Sequence, residues 1–315
     1  MIKNIKFKHL LLPTIFAFTL TACEKDDDND QPSAPAGVTT PDSYSFERNG
    51  VSSVSFGGQT ERLNQLDEMK AKLLVADGGS QIQAADLLAM YNNTGNNGGG
   101  NFSFSSTKQL ENKTFGPDVA YFQDYMNKTA TASIDGANNV VASNGTAGLL
   151  TRSNNNTILV DENGMEFTQA IEKGLMGATF FYQIANVYTT ADKIGETVNN
   201  TNIVSGQNYT TLEHHFDEAF GYFGAPVDFK ANYNGTEPVR FWAKYANSLE
   251  ANAQVSDPIM NAFKKGRQAI VENRRDVLEQ QVKIINEQIE RLIAACSIHY
   301  VNQSLSTTNT GDRIH

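Results

Sequence analysis

Two histidines and three carboxylates lie within six consecutive residues, Glu213-His-His-Phe-Asp-Glu218. Imidazole and carboxylate groups suit zinc, iron or manganese, and the same groups act as general acids and bases. On a helical wheel His215 and Glu218 lie one turn apart, so they can reach one ligand or each other. His214 also lies one turn from Glu218, although His214 and Asp217 are expected to face further outward. This segment is the candidate site of the chain.

The residues around this cluster predict a short helix. Thr210 and Glu213 have the spacing of a capping box, in which each side chain accepts a hydrogen bond from the backbone amide of the other residue. The helix is therefore expected to begin at Thr211, and Gly221 is expected to end it. Its apolar face would consist of Leu212, Phe216 and Ala219.

Two ligands from one helix are too few for a stable metal site, so other segments would have to contribute. Glu166 is one candidate, because it lies on a strongly apolar segment where a buried carboxylate would need a partner. The commoner arrangement is that Glu166 and Glu172 emerge at the edges of that helix. His299 is a further candidate, although a core histidine satisfied by one hydrogen bond is the favoured explanation for it. Cys296 is expected to be a small buried apolar residue rather than a nucleophile.

The N-terminus predicts export and lipidation. Residues 1–22 combine three lysines, an apolar run too short to span a bilayer and the ending Leu20-Thr-Ala-Cys23. We expect cleavage before Cys23 and acylation of its thiol, which would attach the mature chain to a lipid bilayer. Residues 23–43 are acidic and proline-rich and are expected to form a flexible stalk. The acidic run after Cys23 resembles an export signal to the outer face of the outer membrane, which favours the cell surface over the periplasmic face.

Composition limits the partners. The net charge is −10, and no basic stripe is present that could neutralise phosphates, so nucleic acid is excluded as a partner. A protein partner in the cell envelope is compatible with the sequence but is not identified by it.

Residues 44–315 are predicted to form one all-α domain with long polar loops and a small N-terminal β-hairpin. The hairpin is indicated by Asn49-Gly50 between two short β segments. Helical spacing of apolar residues predicts helices over 60–76, 82–90, 117–128, 165–188, 238–249 and 276–302, with a further start at Asp257-Pro258. Residues 92–116 and 129–156 are predicted to be loops. The segment 165–188 is expected to be central, and the apolar stripe of 276–302 to form the seam of a bundle.

Four segments together resemble one family of bacterial lipoproteins, that of domain of unknown function 4856, which is related to the imelysin-like superfamily. The segments are 44–63, 161–167, 172–177 and 213–224. The resemblance implies paired four-helix bundles in an exported, lipid-anchored protein. It also implies that relatives continue beyond residue 315, so the chain is expected to be truncated at its C-terminus. His215 and Glu218 correspond to the His-x-x-Glu part of the imelysin-like Gly-x-His-x-x-Glu signature, and the glycine of that signature is absent.

Three functions are compatible with these observations. The first is an envelope lipoprotein that binds a metal ion, iron or haem through His215 and Glu218, with His214, Glu166 or His299; the superfamily resemblance also implies this role. The second is a structural or interaction lipoprotein without a ligand, in which the same side chains form a buried polar network. The third is a metallopeptidase, which is less favoured because neither His-Glu-x-x-His nor Gly-x-Ser-x-Gly occurs.

Overall fold

A tight hairpin lies near the start of the part of the chain that the computed structural model describes, residues 37–315. Strands β1 (Glu47–Arg48) and β2 (Val51–Ser52) pair antiparallel, with Arg48 opposite Val51. Asn49 and Gly50 both have positive φ, at 54° and 74°, as a two-residue turn of this kind requires. The predicted hairpin is thus confirmed. The predicted signal peptide and Cys23 lie outside the described residues.

Helices dominate the rest of the described chain, as predicted. They are α1 (Gly57–Asp77), α2 (Ala84–Tyr91), α3 (Val119–Ala137), α4 (Phe167–Leu175), α5 (Ala191–Ile194), α6 (Thr211–Phe223), α7 (Phe241–Ser248), α8 (Glu250–Ala253), α9 (Ser256–Val271), α10 (Arg275–Ser306) and α11 (Thr310–Ile314). None of the helices in residues 37–315 combines the length and the apolar character needed to cross a bilayer.

The loop predicted over 129–156 is wrong in part. Helix α3 continues to Ala137, and a second hairpin follows with strands β3 (Gly148–Thr151) and β4 (Thr157–Val160). Leu159 of β4 is buried and reaches the surface of α3 at Gly136, where a side chain would leave only 3.0 Å to the leucine. The region is rich in Asn, Gly and Thr, which predicts a loop, but it also contains two short apolar runs. Those runs form β3 and β4.

The predicted central helix is continuous but changes its hydrogen bonding. After α4 the chain is π-helical over Met176–Phe181 and again over Ile184–Tyr188. Wider π turns release carbonyl groups, and two of these accept bonds from outside the helix. The indole Nε1 of Trp242 donates to the Met176 carbonyl at 2.9 Å, and the Phe115 amide donates to the Ala178 carbonyl at 2.8 Å. These bonds tie the segment to its neighbours.

Helix α6 packs against α1, α9 and the π-helical segments, which places the candidate segment inside the helical assembly. Aromatic side chains form its contacts. The rings of Tyr44 and Phe220 stack with centroids 3.8 Å apart, and Phe216, Phe220 and Phe223 surround Phe263 of α9. Such pairs contribute about 0.5–1.5 kcal/mol each beyond the burial of apolar surface. The N-terminal segment, α6 and α9 are thereby held in one core.

Helix α10 packs along α9, and its apolar stripe is buried through Leu278, Ile285, Ile289 and Leu292. The predicted seam is confirmed over this part. Further along, the stripe emerges: Cys296 is half-buried, and Leu305 is 75% exposed. Leu74 of α1 is exposed as well, whereas Leu63, Leu66, Met69 and Leu73 of the same helix are buried.

Candidate functional site

The predicted start of α6 is confirmed and its predicted end is wrong. The Glu213 amide donates to Thr210 Oγ1 at 3.2 Å, and the Thr210 amide donates to Glu213 Oε2 at 2.7 Å, which completes the capping box. Gly221 lies inside the helix, and Gly224, with φ at 81°, ends it. A Cβ on Gly221 would lie 2.7 Å from side-chain carbons of Phe56 and Gln59, so glycine is needed there for close packing.

Asp217 does not face outward as predicted. It is fully buried and accepts three hydrogen bonds: from Tyr44 Oη at 2.8 Å, from the Ser55 amide at 2.9 Å and from Arg267 Nε at 3.0 Å. The helical-wheel prediction for Asp217 is wrong because α6 is covered on two sides, by the N-terminal segment and by α9. A carboxylate between two covering elements has no route to solvent and must find its donors inside the protein.

Arg267 of α9 is the centre of this arrangement and is also fully buried. Besides Asp217, it binds Glu213 Oε1 through Nη1 at 3.0 Å and the Ser53 carbonyl through Nη2 at 3.2 Å. Arg48 of the first hairpin binds the same Glu213 carboxylate, with Nη2 2.9 Å from both oxygens. Two guanidinium groups thus balance two carboxylates. We call Arg48, Glu213, Asp217 and Arg267 the ion network.

The ion network changes the acidity of its members. Burial raises the pKa of Asp217 to about 6, against the opposing effect of Arg267 and the Ser55 amide. Burial opposes ionisation of Glu213 as well, but Arg267 and the Thr210 amide lower the pKa of this carboxyl. Burial and the neighbouring Asp217 raise the pKa of the Tyr44 phenol, which therefore stays a hydrogen-bond donor. Both carboxylates are ionised at neutral pH and serve as structural anions.

Sequence reasoning missed the ion network, although one signal for it exists. Arg267 follows Phe263 by four residues and precedes Ile270 by three, so it lies on the apolar stripe of α9. A charged residue on such a stripe is either exposed at its edge or paired inside. Its carboxylate partners lie 50 and 54 positions away in α6 and its carbonyl partner, Ser53, lies 214 positions away, so no local pattern identifies them.

His215 is half-buried and is held by the backbone. Its Nδ1 lies 2.7 Å from the Lys193 carbonyl, and a carbonyl only accepts, so Nδ1 carries the proton. Burial lowers the pKa of the imidazole, although the same hydrogen bond opposes this change. The ring is therefore neutral at pH 7, and its Nε2 carries a lone pair.

His214 and Glu218 face each other at the edge of α6. The Nδ1 of His214 donates to the Ser55 carbonyl at 3.1 Å, which leaves Nε2 with a lone pair in the neutral ring. The carboxylate of Glu218 is held through one oxygen only, since Oε1 accepts from Gln59 Nε2 at 2.9 Å and from Tyr188 Oη at 3.0 Å. The other oxygen, Oε2, lies 3.9 Å from His214 Nε2, too far for a direct hydrogen bond. We call this pair the His214–Glu218 corner.

The expectation that Glu166 and Glu172 emerge at the helix edges is wrong, since both are buried. Glu166 lies 3.0 Å from Nδ1 of His315, and Glu172 lies 2.8 Å from the ammonium groups of both Lys70 and Lys173. Each carboxylate has thus found a basic partner, which is the condition for burying it. Although burial opposes it, Lys173 and Lys70 lower the pKa of Glu172.

Within residues 37–315 no group of three or more His, Cys, Asp or Glu side chains is arranged to hold a metal ion. Glu166 and His299 therefore do not join the His214–Glu218 corner as further ligands. Cys296 is half-buried, and burial raises the pKa of its thiol to about 11, so the thiol is protonated and unreactive at neutral pH.

Residues 41–315 match the family described as Domain of unknown function (DUF4856), almost all of the described chain. The protein belongs to the DUF4856 family. No curated protein and no solved structure matches it. The family assignment covers the ion network, the His214–Glu218 corner and both hairpins, so all of these are parts of one DUF4856 domain. The family description names no activity.

Proposed function

We propose that this DUF4856 protein is a lipoprotein of the bacterial outer membrane, anchored by acylated Cys23 at the cell surface, that binds a divalent transition-metal ion at the His214–Glu218 corner. The sequence of residues 1–30 supports the export and anchoring part. The resemblance to imelysin-like proteins supports a shared helical ancestry and a role in metal handling at the envelope.

The observation that carries the metal proposal is the orientation of the two unused atoms. His214 donates its Nδ1 proton to a backbone carbonyl, as metal-binding histidines commonly do, and this fixes the tautomer and points Nε2 away. Glu218 has one oxygen held by two donors and leaves the other one free toward Nε2. A buried polar network would instead be expected to bring the two groups within hydrogen-bond distance.

The residues fit one ion, weakly. Metal bonds to imidazole nitrogen and carboxylate oxygen are about 2.0–2.2 Å long, so a single ion can reach both atoms across the 3.9 Å gap. The described residues offer no third ligand of the same kind, and water or a group from a partner would take the other positions. His215 also keeps a lone pair on Nε2, but within residues 37–315 its ring forms no ion pair with a carboxylate, whereas His214 faces Glu218. The proposed ligand is therefore His214 rather than His215.

Metal titration tests the proposal. We expect Co²⁺ and Zn²⁺ to bind the purified protein with one ion per chain, and the His214→Ala and Glu218→Gln variants to lose at least about tenfold in affinity, as expected when one of two protein ligands is removed. His215→Ala is the matched control, since it removes the neighbouring imidazole and leaves the corner intact. Equal binding by His214→Ala and by the unchanged protein would refute the site. Haemin titration of the same variants tests haem as the ligand. Haem is identified if the affinity for haemin falls in His214→Ala while the affinity for metal ions does not.

The anchoring part has its own test. A Cys23→Ser variant should leave the membrane fraction, and protease added to intact cells should cut the unchanged protein. Protection from protease in intact cells would place the protein at the periplasmic face.

A structural role without a ligand is the second candidate, and the ion network favours it. Arg267 joins α6 to α9 and to the Ser53 carbonyl, so part of the polar content of α6 is explained by packing alone. This candidate predicts that His214→Ala lowers the melting temperature and that neither metal ions nor haemin bind the unchanged protein.

A further inference from the structure

A cavity of about 570 Å³ lies between α4, α7 and the adjoining part of α1, with Tyr300 of α10 on its wall. This volume falls within the range of sites for small organic molecules. The cavity shares no residue with the His214–Glu218 corner, so its interpretation does not depend on the metal proposal.

Basic side chains outnumber acidic ones in this cavity. Glu172 lies between Lys70 and Lys173, with Oε1 2.8 Å from one ammonium group and Oε2 2.8 Å from the other. One carboxylate therefore balances one of two lysines and leaves one positive charge. Both lysine side chains remain about one-third exposed, so they stay accessible from the cavity.

The opposite wall adds a second positive charge. Arg240 lies 3.8 Å from Asp67, which balances it, whereas Lys244 is exposed and forms no ion pair with any described residue. Four lysine and arginine side chains against two carboxylate side chains give the lining a formal side-chain charge of +2, with the imidazole of His315, which also lines the cavity, counted as neutral. The chain as a whole carries −10. A cationic cavity in an anionic protein attracts anions selectively, because low-dielectric walls focus the local field.

The remaining wall can contact an organic group. Phe241, Tyr245 and Tyr300 line the cavity, and the Lys173 ammonium lies 5.2 Å from the centroid of the Tyr245 ring. The Tyr245 and Tyr300 hydroxyl groups bond to each other, and burial raises the pKa of Tyr245 to about 12, so the phenol stays neutral. Phe241 begins α7 with φ at 44°, an unfavourable value for a bulky residue.

We propose that this cavity binds a small organic dianion, with a phosphate monoester or a dicarboxylate as the shared chemistry. The two uncompensated positive charges match two negative charges on the ligand. Lysine and arginine donate to phosphate and carboxylate oxygens in the strong, charge-assisted class of hydrogen bonds. The aromatic wall would contact the organic part.

Calorimetric titration of the purified protein tests this proposal with three anionic probes, which are phenyl phosphate, succinate and inorganic phosphate, and with benzyl alcohol as an uncharged control. We expect at least one of the two organic dianions to bind with one site per chain and to bind more tightly than inorganic phosphate. Raising the salt concentration from about 0.05 to about 0.5 M should weaken binding, because it shortens the Debye length severalfold. The organic probe that binds more tightly distinguishes phosphate esters from dicarboxylates.

Two variants and one control make the result specific. Lys244→Gln removes a cavity charge that has no ion-pair partner in the described chain, so its fold should be unaffected, and it should lower affinity about fivefold or more. Lys173→Gln should lower the affinity for the organic dianion by a larger factor than Lys244→Gln does. Lys283→Gln, at an exposed lysine outside the cavity, should bind like the unchanged protein. Three results would overturn the proposal. They are unchanged affinity in Lys244→Gln, binding of benzyl alcohol as tight as that of phenyl phosphate, and no binding of either organic dianion by the folded protein.

Discussion

Replacing Arg267 by methionine should destabilise the protein severely. The guanidinium binds Asp217, Glu213 and Ser53, and all of these contacts are buried. Methionine fills a similar volume but leaves Asp217 in the core with only Tyr44 and the Ser55 amide as donors. Removing one partner of a buried ion pair costs about 3–5 kcal/mol, because the other charge remains without compensation. Against a typical total of about 5–15 kcal/mol, this is a large part of the free energy of unfolding.

Urea unfolding, followed by circular dichroism and by the fluorescence of Trp242, measures this effect. Arg291→Met is the matched control, because Arg291 is exposed on α10 and surface substitutions change stability by about 0.5 kcal/mol or less. The double variant Arg267→Met/Asp217→Leu should be more stable than the sum of the two single effects predicts, since no lone charge is left. A cost below about 1 kcal/mol for Arg267→Met, or additive single effects, would refute the reasoning, because a buried pair requires strong coupling.

Three further outcomes are expected. Gly221→Ala should lower the free energy of unfolding by about 1–3 kcal/mol, because the added Cβ would overlap Phe56. Gly177→Ala has open space at the Cβ position and should be neutral or stabilising. Urea unfolding measures both effects. Burial raises the pKa of Asp77 from 3.8 to about 6, so this carboxyl holds more protons in the folded state between those values, and its contribution to stability should fall as pH rises from 4 to 6. Asp77→Asn should flatten that part of the curve in unfolding experiments across pH. Burial raises the pKa of Cys296 to about 11, so iodoacetamide should label this thiol far more slowly at pH 8 in the folded protein than in urea. Peptide mass spectrometry measures both labelling rates, and equal rates would contradict the prediction.

The features that the sequence predicted correctly are local ones. The capping box of α6, the Asn49-Gly50 turn and the apolar stripe of α10 each depend on residues a few positions apart, whose side chains must meet if the segment is helical or turned. The structure confirms the capping box and the turn, and it confirms the stripe from Leu278 to Leu292. The end of α6 was misplaced because Gly221 looks like a helix stop in sequence, while its real role is contact with α1.

The features that the sequence did not predict depend on distant contacts. Asp217 is polar, and a helical wheel assigns polar residues to solvent unless the covering elements are known. Arg267, Tyr44 and Ser55 supply those elements from two distant parts of the chain. The π-helical turns after α4 have a similar origin, since Trp242 takes up a carbonyl that the turns release. Tertiary partners override local preference at these places.

The ion network and the His214–Glu218 corner are linked by helix geometry. Glu213 and Asp217 are four residues apart and point inward, and His214 and Glu218 each follow by one residue, which turns them about 100° around the axis. Because Arg267 holds the first pair, α6 cannot rotate, and the second pair is fixed at the edge beside Ser55. A site on a rigid element keeps its ligands in place without a metal.

This link predicts that Arg267 affects metal binding without touching the metal ion. If Arg267→Met retains its fold at low temperature, Co²⁺ affinity should fall although both proposed ligands are present, because α6 gains freedom to rotate. The measurement is Co²⁺ titration of Arg267→Met beside Arg291→Met. Full affinity in the folded Arg267→Met variant would mean that the hydrogen bonds of His214 to Ser55 and of Glu218 to Gln59 orient the corner by themselves.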